Sequence, residues 1–136
     1  MDDEATADST EPIWEQGFTC KECGEECAYV ELYDTNVLSS SLQAWQGEGT
    51  CFIEFVGEVS FVVEPEEFKR LLVAYQRNDL NQVHEVFDLY APFYCDVCEE
   101  SYCLSHWEPR VVHFDDGFYD YETGTCPQGH TRVLND

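Results

Sequence analysis

Hydrophobic and polar positions along the chain predict short strands first and helices afterwards. Residues 28–33 alternate loosely between apolar and polar side chains, and residues 50–56 and 59–63 form two further strand-like stretches. Patterns of this kind place one face of a strand against a core. Gly57 and Glu58 separate the last two stretches and indicate a tight hairpin. We therefore expect an antiparallel sheet of three or four strands.

Helical spacing begins at Pro65, because proline favours the first position of a helix. An apolar stripe follows at helical spacing and comprises Phe68, Leu71, Leu72 and Tyr75. Asn78 and Asp79 then interrupt the pattern and supply a new helix cap. A second stripe comprises Leu80, Val83, Val86 and Phe87. The pattern predicts two helices that pack these stripes into the core.

Nearer the C-terminus, residues 110–114 and 118–121 are rich in apolar and aromatic side chains. Asp115, Asp116 and Gly117 lie between them, which is typical of the turn of a β-hairpin. Taken together, the patterns predict an α+β fold in which a small antiparallel sheet packs with two helices.

Four pairs of soft metal ligands occur along this pattern. The pairs are Cys20/Cys23, Cys95/Cys98, Cys103/His106 and Cys126/His130. A Cys-x-x-Cys spacing lets two sulfur atoms reach one ion, and four ligands complete a tetrahedral zinc site. Eight ligands therefore predict two zinc ions per chain.

The way in which the pairs combine follows from their spacing. Only residues 99–102 separate Cys98 from Cys103, which is too short for these two adjacent pairs to close comfortably on one ion. An alternating, or cross-brace, arrangement avoids the problem. Site one would then comprise Cys20, Cys23, Cys103 and His106, and site two would comprise Cys95, Cys98, Cys126 and His130. Both are Cys₃His sets without an open position, as in structural zinc sites.

Two alternatives for the cysteines stay open at this point. One is a single zinc site in the C-terminal half with the other thiols as spectators, and the other is a set of free buried thiols. Cys27 and Cys51 have no partner at metal spacing, and we interpret them as small buried apolar residues. The alternative for Cys27 is a substitute ligand in a C-x-x-C-x₃-C run.

The run C-x-x-C-x₄-C-x-x-H over residues 95–106, with Tyr102 before Cys103, resembles the middle of AN1-type and B-box-type zinc fingers. The resemblance implies that Cys95/Cys98 and Cys103/His106 serve different metals. It also implies protein interaction, often in ubiquitin-linked settings. Those fingers are short, whereas residues 24–94 and 107–125 intervene here. We therefore expect a treble-clef or zinc-ribbon-like module wrapped around an inserted α+β body.

These patterns predict one zinc-binding domain over residues 13–136, after a disordered acidic tail at residues 1–12. Within the domain, residues 13–25 and 94–136 would form the zinc module. Residues 26–93 would form the α+β insertion.

The charge balance restricts the expected partners. The chain has 29 acidic and 6 basic residues, a formal net charge of −23. Such a surface repels phosphate groups, so we expect a protein partner and neither nucleic acid nor membrane. No apolar run has the length of a membrane span, and residues 1–12 contain no apolar leader core. We expect a cytoplasmic location, where cysteines serve as metal ligands rather than in disulfides.

The predicted function is a zinc-binding protein-interaction or adaptor module without catalysis. One alternative is a zinc-finger adaptor or ligase-like factor of a ubiquitin-type conjugation system, and another is a metal-dependent hydrolase. His84 and Asp88 partly match the zinc-protease pattern H-E-x-x-H, but Asp88 replaces the second histidine and no third ligand is evident. We interpret this pair as part of an exposed helix face.

The spread of acidic residues along the whole chain favours adaptation to high salt over a surface built for a basic partner. On this hypothesis the melting temperature rises with potassium chloride, because screening weakens repulsion among carboxylates. Differential scanning calorimetry from dilute buffer to molar salt measures the effect. A melting temperature that stays constant over this range would instead favour the basic partner.

Overall fold

The computed structural model describes residues 11–34 and 49–136. Residues 1–10, which make up most of the predicted acidic tail, lie outside this part of the chain. The described chain is α+β, as predicted, with three antiparallel sheets and two α-helices.

The first sheet has four strands in the order β1-β2-β3-β4. The strands are β1 (Trp14–Thr19), β2 (Glu26–Tyr33), β3 (Gly49–Phe55) and β4 (Gly57–Val63). The alternation in β2 has the predicted effect, because Ala28, Val30 and Leu32 are buried on one face. The sequence pattern did not identify β1 as a strand, because its period-2 signal is interrupted by polar residues at its centre.

Two helices cover this sheet: α1 (Pro65–Gln76) and α2 (Leu80–Val86). Pro65 begins α1 as predicted, and its stripe is buried through Leu71 and Tyr75. Between the helices the backbone reverses at Asn78, which has a φ of 57°. Asp79 then caps α2 by accepting a hydrogen bond from the backbone N–H of Gln82 at 3.2 Å.

The second stripe is shorter than predicted, because α2 ends at Val86. Phe87 has an extended backbone and is 38 % exposed. Its ring makes edge contacts with the rings of Phe61 and Tyr90, at centroid distances of 5.8 and 5.0 Å.

The C-terminal half contributes two small sheets. The short strands β5 (Tyr94–Cys95) and β6 (Glu100–Ser101) pair with each other. A three-stranded sheet follows, in the order β7-β8-β9, and comprises β7 (Val111–Asp115), β8 (Phe118–Thr125) and β9 (Thr131–Asn135). The predicted hairpin joins β7 to β8, and Asp116 and Gly117 in its turn have φ values of 55° and 83°. The sequence analysis missed β9.

Two clusters of buried side chains hold these layers together. The larger cluster lies between the four-stranded sheet and the helices, and the smaller one surrounds Trp107. Cys27 and Phe55 pack against both clusters, so the two cores are continuous. Within residues 11–34 and 49–136, neither α-helix combines the length and the apolar character that a bilayer span requires.

Arg132 on β9 joins the C-terminal sheet to the helical layer. Its guanidinium donates hydrogen bonds to the backbone carbonyls of Ala91, Tyr94 and Asp88, at 2.9, 2.8 and 2.7 Å. Burial lowers the pKa of this guanidinium, whereas the nearby Asp88 carboxylate opposes that shift. These carbonyls lie between the end of the helical region and the start of β5, so one side chain donates to three acceptors at this junction.

We expect Arg132→Met to lower the free energy of unfolding by about 2–4 kcal/mol, because it leaves carbonyl acceptors without their charged donor. Denaturation with guanidinium chloride in zinc-containing buffer measures the change. Arg70→Met is the matched control, since the Arg70 guanidinium has no polar partner in the part of the chain that the structure describes. Equal stability of the two variants would contradict this role for Arg132.

Candidate metal centres

The structure brings the eight paired residues into two groups. One group is Cys20, Cys23, Cys103 and His106, and the other is Cys95, Cys98, Cys126 and His130. In each group all the ligand atoms lie within 4.8 Å of one another. The grouping is therefore alternating, and it corresponds to the two sites proposed from the spacing of the pairs.

The first ligand pair lies in the turn that joins β1 to β2. The Cys20 N–H donates to the carbonyl of Glu25 at 2.8 Å, and the Gly24 N–H donates to the carbonyl of Cys20 at 2.9 Å. A further N–H, that of Glu22, points at the Cys20 sulfur at 3.3 Å. Gly24 has a φ of 77°, a conformation that glycine adopts at little cost. The turn thus presents both sulfurs on the same side.

The second pair lies in the equivalent turn between β5 and β6. The Glu99 N–H donates to the carbonyl of Cys95 at 2.7 Å, and the Cys98 N–H points at the Cys95 sulfur at 3.4 Å. Glu99 occupies the position of Gly24 and has a φ of 58°. The same backbone turn therefore forms here without glycine.

The two histidine-containing pairs use different turns. Cys103 precedes a short 3-10 helix, and the His106 N–H donates to the carbonyl of Cys103 at 2.8 Å. The last pair lies in the turn between β8 and β9, where the Cys126 N–H donates to the carbonyl of His130 at 2.8 Å. Gly129 in this turn has a φ of 96°.

The distances between ligand atoms fit a tetrahedral ion. Metal–sulfur bonds of about 2.3 Å and metal–nitrogen bonds of about 2.0–2.1 Å place two sulfurs about 3.8 Å apart, and sulfur and nitrogen about 3.6 Å apart. In the first group, the Cys23 and Cys103 sulfurs lie 3.4 Å apart, and the His106 Nδ1 lies 3.3 Å from the Cys20 sulfur.

The second group has the same geometry. Its Cys98 and Cys126 sulfurs lie 3.7 Å apart. The His130 Nδ1 lies 3.3 Å from each of these sulfurs and 3.5 Å from that of Cys95. In both groups the histidine therefore presents Nδ1, and the donor set of three sulfurs and one imidazole suits a soft divalent ion.

Each group contains one thiol that ionises easily and one that does not. Burial opposes ionisation of Cys20, but backbone hydrogen bonds, led by that of Cys103, lower its pKa to about 6. Cys126 is also buried, and the backbone of His130 and Gln128 lowers its pKa to about 7. Burial raises the pKa of Cys95 to about 11 and that of Cys103 to about 12. An incoming cation would therefore displace the protons of Cys95 and Cys103.

The segment from Tyr94 to His106 supplies ligands to both groups. Cys103 and His106 face the β1–β2 turn, whereas Cys95 and Cys98 face the β8–β9 turn. The Lys21 N–H also donates to the Ser101 carbonyl at 2.8 Å, which ties the first turn to β6. The two groups together connect all three sheets.

Several residues considered from the sequence lie outside these groups. Cys51 is fully buried and Cys27 partly buried, and neither belongs to a metal-binding group among the described residues. None of the eight cysteines, all of which lie in the described ranges, forms a disulfide. The pair His84 and Asp88 likewise contributes to no such group in the described ranges.

The sequence analysis overlooked groups that support the candidate ligands. The backbone N–H groups that point at sulfur give no side-chain signal in the sequence. For Arg132 the sequence offered one indication of a special role, since it is one of only 6 basic residues in the chain. Its three carbonyl partners could not be inferred from that.

The family profile described as a domain of unknown function, DUF8328, matches residues 13–136, so the chain belongs to that family. No curated protein and no solved structure matches the chain.

We expect zinc binding near pH 7 to release at least one proton per site, because Cys95 and Cys103 hold their protons in the metal-free fold. Protons and metal compete for the same sulfur atoms, so the apparent affinity rises with pH and falls in acid. Isothermal titration calorimetry in buffers of different ionisation enthalpy counts the released protons. Binding enthalpies that do not depend on the buffer would contradict the expectation.

Proposed function

We propose that this member of the DUF8328 family is a non-catalytic protein-interaction module whose fold is held by two structural zinc ions. The observation that carries the proposal is the pair of Cys₃His groups, each with four protein ligand atoms within 4.8 Å. A zinc ion held by four protein ligands has no position left for water or substrate, which is the arrangement of structural sites.

The chemistry of the donors favours zinc over other ions. Thiolate sulfur and imidazole nitrogen are soft ligands, and the tetrahedral separations exclude a site of the kind that calcium or magnesium uses. Each group would place three thiolates around one divalent cation, which offsets most of their mutual repulsion. A structural zinc of this kind contributes on the order of 10 kcal/mol to folding.

The surroundings of the two groups support a structural role over hydrolysis. A hydrolytic zinc keeps one position open toward a substrate cleft. A cleft of about 460 Å³ lies between β1, the start of α2 and β6, but none of the eight candidate ligands lines it. Its lining is polar and includes Asp79, Glu99 and Glu100. The metal-dependent hydrolase is therefore the weakest of the three functions considered.

A zinc-finger adaptor or ligase-like factor of a ubiquitin-type conjugation system is the second candidate. One observation favours it: Cys95/Cys98 and Cys103/His106 belong to different groups, as the resemblance to AN1-type and B-box-type fingers implies. Direct binding of a carrier protein or a conjugating enzyme would support this narrower function. Direct binding of a protein from outside such a conjugation system would support the general protein-interaction module.

The central experiment measures the metal content of the purified chain. We expect two zinc ions per chain by native mass spectrometry and plasma emission spectrometry. Cys20→Ser should release one zinc and shift the NMR signals of the His106 ring much more than those of the His130 ring. Cys126→Ser should have the converse effect, since each variant removes a ligand atom from one group.

Cys51→Ala is the matched control, because it removes a buried thiol that lies outside both groups. The control should retain both zinc ions. A single zinc in the wild-type chain would contradict the proposal. A result in which Cys20→Ser perturbs His130 as strongly as His106 would contradict the assignment of ligands to sites.

A further inference from the structure

The β7–β8 hairpin carries an unusual share of the exposed apolar surface. Among the described residues, five of the ten exposed large hydrophobic side chains lie between residues 111 and 119. They are Val111, Val112, Phe114, Phe118 and Tyr119, with exposures of 47, 42, 66, 77 and 46 %. Salt adaptation accounts for a spread of acidic residues but not for this cluster, since exposed aromatic side chains are costly in water.

Three of these side chains share one face of the hairpin. Phe114 lies directly opposite Tyr119 in the β7–β8 register, so both project to the same side. Val112 lies two positions before Phe114 on β7 and projects to that side as well. We refer to Val112, Phe114 and Tyr119 as the hairpin face.

The hairpin also offers a free strand edge. In the described residues β7 pairs only with β8, and it is the outer strand of its sheet. Edge strands are commonly protected by lysine, proline or a β-bulge. Val111–Asp115 contains neither lysine nor proline, and the irregularity in its pairing with β8 places the extra residue, Asp120, on β8. The backbone groups along this edge can therefore pair with another strand.

The base of the hairpin is rigid although its end is exposed. Gly124 packs so closely that a Cβ atom there would lie 2.5 Å from a Leu134 methyl carbon and 3.0 Å from the Trp107 Cβ. The His113 ring stacks on that of Tyr121 at a centroid distance of 4.3 Å. Since β8 continues directly into Cys126, the second candidate metal group anchors the hairpin.

The local charge indicates the chemistry of the partner. Asp115, Asp116 and Asp120 surround the turn. Immediately before β7, the Arg110 guanidinium is held by the Glu122 carboxylate at 3.2 Å. A second copy of the chain would bring its own acidic turn and a net charge of −23. The negative electrostatic field of these aspartates would attract a basic segment.

We propose that the hairpin face and the free edge of β7 form a docking surface for an extended, basic segment of a partner protein, which adds to the sheet as a fourth strand. In such a segment apolar side chains would cover Phe114 and alternate with lysine or arginine side chains near the aspartates. This inference rests on the proposed function, because it names the surface through which that module would act.

The probe for the experiment is a synthetic eight-residue peptide in which valine and lysine alternate. Its two controls are the peptide with glutamate in place of lysine and the valine–lysine peptide with alternate backbone nitrogens methylated. The methylated peptide keeps the charge but cannot donate a full set of strand hydrogen bonds. Binding is measured by fluorescence anisotropy and by amide NMR, in dilute buffer and in molar potassium chloride.

We expect only the unmodified valine–lysine peptide to bind, with the largest amide shifts at residues 111–115. Phe114→Thr should weaken this binding at least about tenfold, because the contact of the phenyl ring is lost. Val62→Thr is the matched control, since Val62 is 44 % exposed on β4, an edge strand of the four-stranded sheet. It should leave the affinity unchanged.

Three outcomes would overturn the inference. If the methylated peptide bound as tightly as the unmodified one, the charge of the peptide and not strand pairing with β7 would account for binding. If the largest amide shifts lay outside residues 111–115, the peptide would bind to another surface of the protein. A dimer that Phe114→Thr dissociates would make a second copy the occupant. Zinc content is measured on the same samples: two zinc ions without peptide binding refute the docking surface alone, whereas the absence of zinc refutes the proposed function.

Discussion

The fold is organised around one electrostatic constraint, the close approach of three sulfurs and one imidazole nitrogen in each of two groups that could hold a metal ion. Each group holds three sulfurs and one imidazole nitrogen within 4.8 Å. As thiolates at such distances the three sulfurs would repel one another strongly, and a bound divalent ion would convert this repulsion into an attraction. The residues of each group come from turns far apart in the sequence, so their approach closes large loops of the chain.

The segment from Tyr94 to His106 links the two groups, because it contributes two candidate ligands to each of them. Through the first group it holds the β1–β2 turn of the four-stranded sheet, and through the second it holds the β8–β9 turn. Arg132 reinforces the second connection by donating to carbonyls at Ala91, Tyr94 and Asp88. The second candidate metal group and the buried Arg132 guanidinium therefore lie at the same junction between the helical layer and the C-terminal sheet.

This arrangement separates a rigid scaffold from the surface that it displays. The base of the β7–β8 hairpin is closely packed by Trp107, Gly124 and Leu134, next to turns that carry the candidate metal ligands. Beyond that base the hairpin is solvent-exposed on both faces. In the described part of this acidic chain, half of the exposed large hydrophobic side chains therefore lie on one hairpin that is closely packed at its base.

Features that depend on neighbouring residues could be predicted from the sequence. The four ligand pairs, the proline-started helix α1, the Asp79 cap and the Asp116–Gly117 turn all follow from short-range stereochemistry. The alternating grouping was also proposed from the sequence, because residues 99–102 are too few for adjacent pairs to close comfortably on one ion. Tertiary structure alone decided that β1 and β9 are strands, since each is defined by pairing with β2 or β8. It likewise decided the partners of Arg132 and the exposure of Phe114, because burial and long-range hydrogen bonds depend on which distant segments meet.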